Sequence, residues 1–242
     1  MCTMLLKMNN VHFKYPGEPE VLKGVNFNAD LGEVVAIVGP TGCGKTTFLL
    51  TAAGLLEPCA GEVLFNDKPL KGQLPMVRRE IGLVFQDPDD QIFNPTVYEE
   101  IAFAVKQIFP KHLVEGKVME AAERFGLKNV LNRSPFRLSV GQRRLVTFAS
   151  IFAYNPILLL LDEPTANLSS KMVEEIVNLI KEYRVGGKCI ILTSHDYNFV
   201  AKAADRVYAF SEGKLVGGYD VRRLLNDKAF LEIAEMSASQ DL

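Results

Sequence analysis

The segment from Gly39 to Thr47 constrains the fold of this 242-residue chain more than any other. It reads Gly-Pro-Thr-Gly-Cys-Gly-Lys-Thr-Thr, with an apolar run before it at residues 34–38 and another after it at residues 48–53. A strand, a glycine-rich turn and a helix are the context that the pattern G-x-x-x-x-G-K-[ST] requires. A turn that only joins a strand to a helix is the plainer interpretation. The full strand–turn–helix context favours a site for a nucleoside triphosphate.

Each residue type in this loop has a physical role toward phosphate. Glycines let backbone amides turn inward and approach a phosphate closely, and the helix that opens at Gly44 adds its dipole and its unpaired N–H groups. Lys45 places a cation on the outer phosphates, Thr46 offers a hydroxyl to Mg²⁺, and Thr47 offers one to a phosphate oxygen. The predicted nucleotide-binding residues of the loop are Gly39, Pro40, Thr41, Gly42, Cys43, Gly44, Lys45, Thr46 and Thr47.

Composition excludes several classes of protein. The chain has 27 basic and 29 acidic residues, a net charge of −2 and a pI near 6.0, so it carries no basic footprint for nucleic acid. Its four cysteines show no C-x-x-C spacing, which predicts free thiols in a reducing compartment. We expect no signal peptide, and no apolar stretch approaches the ~20 residues that cross a bilayer. The chain is therefore predicted to be cytoplasmic and able to dock on a membrane protein.

The order of predicted elements indicates one α/β unit with an insertion. Strands and helices alternate over residues 1–96 and 157–217, which we assign to a phosphate-loop α/β core with an antiparallel β edge region. Residues 97–156 contain three helical patterns with no strand between them, which predicts an inserted helical subdomain. Residues 68–80 are predicted to be an exposed connection, and residues 218–242 to form a C-terminal helix with a frayed tail.

Two further segments place polar side chains at strand ends. Asp162 and Glu163 follow four leucines, and His195 follows the strand predicted at residues 188–193. The carboxyl ends of parallel strands are where open sheets bind ligands. Asp162 can hold Mg²⁺ through water, Glu163 can polarise an attacking water, and His195 can reach a terminal phosphate. Taken alone, the acidic pair is equally a solvated strand end, and a lone histidine after a strand is more often structural.

The third predicted helix of the insertion opens with Leu138-Ser139-Val140-Gly141-Gln142. A serine hydroxyl together with helix N-terminal amides makes an anion site. The simpler interpretation is an ordinary helix cap by Ser139, and the segment by itself favours that interpretation.

The order of these motifs resembles one family, the ATP-binding-cassette (ABC) ATPases, over nearly all of the chain. The order is Tyr15 before the first turn, the phosphate loop, Gln86, the Leu138–Gln142 segment, Asp162-Glu163 after four leucines, and Ser194-His195-Asp196. Within that family, residues 84–93 and 96–103 resemble the ATPases of energy-coupling-factor importers, which take up cobalt, nickel or vitamins. The resemblance implies a P-loop NTPase core of the RecA-like kind.

The resemblance also implies roles for individual residues. Tyr15 would stack on adenine, and Gln86 would contact Mg²⁺ or the water and report to a membrane partner. Lys45, Gln86, Glu163 and His195 would form the catalytic set, and Thr46, Gln86 and Asp162 would hold the metal. Ser139, Val140, Gly141 and Gln142 would close over ATP held by a second ATPase subunit. The other implied partners are a transmembrane coupling subunit and a substrate-binding membrane subunit, with the ATPase on the inner face of the membrane.

Three features depart from the common pattern or add to it. Val140 stands where the family usually has glycine, and Ser169 stands where an aspartate is usual. If the position of Val140 needs a glycine-like backbone, one ATP site is weak, which favours a heterodimer over a homodimer. Cys43 lies at a helix N-terminus near Lys45, and both features favour a thiolate that alkylating reagents would attack.

Three alternative functions stay open at this point. An exporter or another importer class would share the motifs, although residues 87–91 speak against it. A soluble cassette acting on nucleic acid or ribosomes usually carries tandem cassettes or long coiled-coil inserts, and this chain has neither. A nucleotide sensor without turnover is disfavoured by the presence of both Glu163 and His195.

Overall fold

The computed structural model describes residues 4–74 and 76–236. The strands are β1 (Met4–Lys14), β2 (Glu20–Asp30), β3 (Val34–Val38), β4 (Ala60–Phe65), β5 (Lys68–Pro69), β6 (Ile81–Val84), β7 (Leu158–Leu161), β8 (Cys189–Thr193), β9 (Arg206–Ser211) and β10 (Lys214–Asp220). The α-helices are α1 (Lys45–Ala52), α2 (Val97–Ile108), α3 (Lys111–Arg124), α4 (Val140–Phe152), α5 (Ser170–Val185), α6 (Tyr197–Ala203), α7 (Val221–Leu225) and α8 (Lys228–Ala234).

A six-stranded sheet forms the centre of the molecule. Its order is β10-β9-β3-β8-β7-β6, and every pairing is parallel except that of the edge strand β10 with β9. Strand β3 is buried along its whole length because its alternating side chains enter two different hydrophobic clusters, one on each face of the sheet. The carboxyl ends of β3, β8, β7 and β6 consequently lie side by side, which is the edge where such sheets bind ligands.

A second, antiparallel sheet of four strands in the order β2-β1-β4-β5 covers one face of the central sheet. The layer between the sheets includes Phe27 of β2 and Phe48 of α1, whose rings meet edge to face with centroids 5.1 Å apart. The helices α5 to α8 pack with the cluster on the other face. This arrangement confirms the predicted fold class, including its antiparallel β region.

The three helices predicted in the insertion are present and surround a hydrophobic cluster that includes Ile101, Val118 and Val146. Helix α2 begins where Thr96 accepts a hydrogen bond from the N–H of Glu99 at 3.1 Å, because a hydroxyl at this position satisfies a free amide of the first turn. No helix within residues 4–74 and 76–236 is long and apolar enough to cross a membrane.

Two predicted segments contain secondary structure that the sequence did not predict. Residues 68–80 are not simply an exposed connection, because β5 and two short 3₁₀ helices (Lys71–Gln73 and Met76–Glu80) occupy most of them. The C-terminal helix predicted for residues 218–242 is instead the end of β10 followed by two helices, with Asp220 and Asp227 capping α7 and α8. Residues 1–3 of the predicted core and the predicted tail at 237–242 lie outside the described residues.

Gly82 in β6 tests how tightly the insertion packs on the sheet. A Cβ at Gly82 would lie 2.4 Å from Ile151 Cγ2 and 2.8 Å from Pro156 Cγ. We expect Gly82→Ala to lower the free energy of unfolding by about 1–3 kcal/mol through overpacking, as measured by urea denaturation.

Gly116→Ala is the matched control, since Gly116 lies inside α3 with nothing within 4 Å of an added Cβ. Alanine at such a helix position should raise stability by about 0.5–1 kcal/mol. Shifts of the same sign in the two variants would contradict the packing argument.

Candidate active site

A cleft of about 290 Å³ lies at the carboxyl ends of β3, β8, β7 and β6. Its lining residues are Tyr15, Val21, Thr41, Gly42, Gly44, Lys45, Thr46, Thr47, Gln86, Asp162, Glu163 and His195. Every one of these except Val21 belongs to the site predicted from the sequence. The structure therefore brings together residues that are up to 180 positions apart in the chain, from Tyr15 to His195.

The phosphate loop has a backbone that only glycine fits at two points. Gly44 has φ 115°, and a Cβ there would lie 2.9 Å from Val21 Cγ1, while a Cβ at Gly39 would lie 2.7 Å from the carbonyl oxygen of Phe210. Gly44 caps α1 without a side chain, so the first amides of that helix stay available to an anion. Lys45 Nζ donates to the carbonyl oxygens of Gly39 (2.7 Å) and Pro40 (3.0 Å).

The carboxylate of Asp162 is buried and held by two threonine hydroxyls. Thr46 Oγ1 donates to Asp162 Oδ2, and Thr193 Oγ1 donates to Asp162 Oδ1, each at 2.6 Å. Thr193 Oγ1 also accepts a hydrogen bond from the N–H of Glu163 at 2.9 Å. A carboxylate next to a hydroxyl is the hard-oxygen donor set that Mg²⁺ prefers, so these residues fit the predicted metal.

Glu163 lies between Lys45 and His195 in the cleft. Its Oε1 lies 3.9 Å from Lys45 Nζ, and its Oε2 lies 3.0 Å from His195 Nδ1. The residue is 6% exposed and has φ 42°, a left-handed backbone that costs a non-glycine residue about 1–3 kcal/mol. The turn after β7 thereby directs the Glu163 carboxylate away from Asp162 and toward Lys45 and His195.

Tyr15 stands at the edge of the cleft next to the phosphate loop. Its hydroxyl lies 3.2 Å from Thr47 Oγ1, and its ring meets Phe13 edge to face with centroids 5.0 Å apart. The side chain is 37% exposed, so part of the ring remains open to a ligand.

The expectation that Cys43 is a thiolate is wrong. Partial burial of the side chain raises the pKa of the Cys43 thiol above its ordinary value, although Lys45 and nearby backbone amides act in the opposite direction. Burial has the larger effect because moving the charged thiolate out of water costs more free energy than Lys45 and the backbone amides supply. The thiol is protonated at neutral pH.

The segment Ser139–Gln142 is not part of this cleft in the portion of the chain that the structure describes. Ser139 caps α4 by accepting a hydrogen bond from the N–H of Gln142 at 3.3 Å, and the Gln142 side chain returns to the N–H of Ser139. Val140 is the first helical residue, has an ordinary negative φ and is 48% exposed. Val140 therefore has no strained backbone in this chain, while its approach to a phosphate held by a second subunit, and with it the preference for a heterodimer, stays a prediction.

Two residues of the site region were not predicted as functional. Thr193 bridges Asp162 and Glu163, and Arg144 donates to the carbonyl oxygens of Phe85, at 2.6 Å, and of Gln86. Thr193 ends β8 beside Asp162 because β8 pairs with β7. The only signal for Thr193 in the sequence was that it is a polar residue at the end of an apolar strand. For Arg144 the only signal was its place directly after the Leu138–Gln142 segment.

Comparison with known proteins decides the family. The profile of the ABC transporter family matches residues 22–166, which is more than half of the chain. The chain belongs to the ABC transporter ATPases. The resemblance inferred from the order of motifs is therefore confirmed, and the chain is an ATP-hydrolysing ABC ATPase.

Individual relatives of this ABC ATPase carry energy-coupling-factor names. It is 41% identical over 216 residues to an energy-coupling factor transporter ATP-binding protein EcfA of Methanocaldococcus jannaschii, covering 88% of this chain and 77% of the relative. It is 37% identical over 218 residues to EcfA2 of Clostridium perfringens, covering 88% of this chain and 76% of the relative.

The structure also matches cbiO1 of Clostridium perfringens, described as part of the ABC transporter complex cbiONQ. The TM-score is 0.82 with 33% identity, over 95% of this chain and 94% of the other. A nucleotide-free ATP-binding cassette matches with a TM-score of 0.81 at 24% identity, which shows the shared fold.

Tyr15 provides the first test of the cleft of this ABC ATPase. Stacking of a base on an aromatic ring is worth ~1–3 kcal/mol, so Tyr15→Ala should weaken ATP binding about tenfold or more in a calorimetric titration. Tyr15→Phe is the control, because it keeps the ring and removes only the hydrogen bond to Thr47. It should stay within about threefold of the wild type, as expected for one partly exposed neutral hydrogen bond. Equal affinities for all three proteins would place the adenine elsewhere.

Proposed function

We propose that this ABC ATPase is the ATP-binding and ATP-hydrolysing subunit of an energy-coupling-factor importer of the cobalt, nickel or vitamin type. The observation that carries the catalytic part is the arrangement of Lys45, Thr46, Asp162, Glu163 and His195 around one cleft. The importer class rests on the names of the relatives, EcfA and cbiO1.

In the proposed mechanism the chain first holds the triphosphate. The amides of the phosphate loop and of the start of α1 bind its oxygens, Lys45 neutralises the outer phosphates, and Tyr15 lies against the adenine. Phosphoryl transfer depends mainly on positioning and on stabilising charge in the transition state, which these groups supply. Thr46, Gln86 and Asp162 would hold Mg²⁺, which neutralises charge on the phosphate oxygens.

Glu163 is the group best placed to activate water. It is buried, it is a carboxylate, and its two oxygens face Lys45 on one side and His195 on the other. A buried base next to the outer phosphates can take a proton from the attacking water. His195 orients the carboxylate through its Nδ1 and presents the rest of its exposed ring toward the terminal phosphate.

The proposed assembly contains two ATPase subunits. Ser139, Val140, Gly141 and Gln142 lie outside the cleft of their own chain, which supports a role at the ATP bound by a second subunit, either identical or related. A transmembrane coupling subunit and a substrate-binding membrane subunit complete the importer. The ATPase then lies on the cytoplasmic face of the membrane.

The segment 87–91 and the start of α2 are the proposed contact with the transmembrane coupling subunit. Phe93 and Phe103 pack edge to face with centroids 4.8 Å apart and are 61% and 46% exposed, which is an uncovered apolar surface next to that segment. Asp89 is already paired with Arg143 at 2.8 Å, so its carboxylate is not free for a basic residue of the partner. Asp90 takes that role in the proposal.

Substitutions of Glu163 and Lys45 test the proposed catalytic roles. Glu163→Gln should retain ATP but slow its hydrolysis by about 10²-fold or more, because it removes the base and keeps the phosphate contacts. Lys45→Ala should lose ATP binding itself. Radiolabelled ATP retention and phosphate release on the same samples separate the two effects. Hydrolysis by Glu163→Gln at the wild-type rate would remove Glu163 from the mechanism.

Reversal of charge at Asp90 tests the partner contact. Asp90→Lys should abolish co-purification with the membrane subunits and transport, while the isolated chain keeps its ATP hydrolysis. Glu232→Lys, on the exposed side of α8, is the matched control and should leave assembly unchanged. If Asp90→Lys impairs hydrolysis by the isolated chain as much as transport, the carboxylate serves the nucleotide site. If no membrane protein co-purifies with the wild type, the importer assignment itself fails.

A further inference from the structure

Arg144 is a buried cation that lies between the helical insertion and the cleft. It belongs to α4, is 2% exposed, and directs its two terminal nitrogens to consecutive backbone carbonyls of the segment that carries Gln86. Nη1 donates to the Phe85 oxygen at 2.6 Å and Nη2 donates to the Gln86 oxygen. A guanidinium can hold two acceptors in one plane, so this contact fixes the orientation of the loop as well as its position.

The charge of Arg144 is held without a direct ion pair to any described residue. Nε is buried and has no hydrogen-bond partner within residues 4–74 and 76–236. Burial lowers the pKa of the guanidinium, while the nearby carboxylates of Asp87 and Asp162 oppose that shift. The two carbonyl bonds and these more distant charges are therefore what keep the cation in place, and loss of the bonds would release the loop.

Hydrogen bonds on β6 and the loop after it define where the sheet ends and the insertion begins. The Val84 carbonyl accepts from the N–H of Asp162 at 2.9 Å, which ties Val84 to the core. One residue later the Phe85 carbonyl is bound by Arg144, and the Phe85 N–H donates to Gln91 Oε1 at 3.1 Å. The backbone is therefore bonded to the core at Val84, and to Arg144 of the insertion and to Gln91 at Phe85.

We propose that Arg144 is a positioning residue for Gln86 in ATP hydrolysis. Arg144 fixes Gln86 to α4, so that Gln86 moves with the Ser139–Gln142 segment and not with the sheet. This inference rests on the proposed catalytic role of Gln86. Arg144 lies less than one turn after Gln142 on α4, so a rotation of the insertion carries the two together. The Gln86 amide then reaches the cleft only in the orientation that also places Ser139–Gln142 for the second ATPase subunit.

Arg144→Met removes both donors and keeps a long apolar side chain. In the transporter complex purified through a tag on this chain, we expect kcat for ATP hydrolysis to fall at least tenfold. The KM for ATP should stay within twofold, because Tyr15 and the phosphate loop are untouched. Arg124→Met is the control from the same helical insertion, since Arg124 of α3 pairs with Glu182 of α5 and not with Phe85 or Gln86. It should keep kcat within twofold of the wild type.

A double-mutant cycle with Gln86→Ala separates positioning from general damage to the fold. If Arg144 acts through Gln86, then Arg144→Met in the Gln86→Ala background changes kcat by less than twofold. The same tenfold loss in both backgrounds, or no loss in either, would overturn the proposal. Should Arg144→Met fold poorly in thermal unfolding, Arg144→Lys takes its place in the cycle, because its ammonium keeps the charge and loses the two-carbonyl geometry. An inactive wild-type complex would count against the proposed function, whereas an active wild type with an additive cycle counts against Arg144 alone.

Discussion

The Asp162 carboxylate is the point on which the rest of the cleft depends. Its two oxygens accept hydrogen bonds from Thr46 on α1 and from Thr193 on β8, so one side chain joins three elements that are distant in sequence. A buried carboxylate without such partners would lose much of its hydration energy with no compensation. Hydrogen bonds to a charged group contribute about 1.5–3 kcal/mol each, so the two hydroxyls stabilise the carboxylate. They also hold α1 and the end of β8 next to the end of β7.

Two ionisable side chains of the cleft, Lys45 and His195, lie on either side of Glu163. Glu163 lies 3.9 Å from Lys45 and 3.0 Å from His195, whereas the adjacent Asp162 binds the hydroxyls of Thr46 and Thr193. Because Asp162 and Glu163 point in different directions, two carboxylates occupy one cleft with different partners. One carboxylate is bound to hydroxyls and the other faces a cation and an imidazole, which gives each a different chemistry.

Much of this organisation is readable in the sequence because each strand of the core is a short apolar run followed by a polar residue. The phosphate loop, Asp162-Glu163 and His195 were predicted in this way, and the cleft brings them together. Thr193 was missed because its role depends on β8 lying beside β7, which is a matter of sheet order. Arg144 was missed because its partners lie 58 and 59 positions away.

The remaining errors also arise from tertiary structure. The pKa of Cys43 depends on burial, which opposes the effect of the helix terminus and the nearby lysine that the sequence shows. Residues 218–220 were predicted to begin the C-terminal helix, whereas they are the end of β10, which pairs with β9. In each case tertiary contacts outweigh a correct local signal.

The left-handed backbone of Glu163 has a consequence for how this protein can evolve. Glycine or asparagine adopts φ near 42° at lower cost than glutamate, so either would relieve local strain and raise the thermal stability of the chain. Selection for robustness alone would therefore tend to replace the residue to which we assign the activation of water. A glutamate at this turn is a cost in stability that its proposed role in turnover would offset. A library screened for heat resistance without an activity requirement should therefore accept glycine or asparagine at this position.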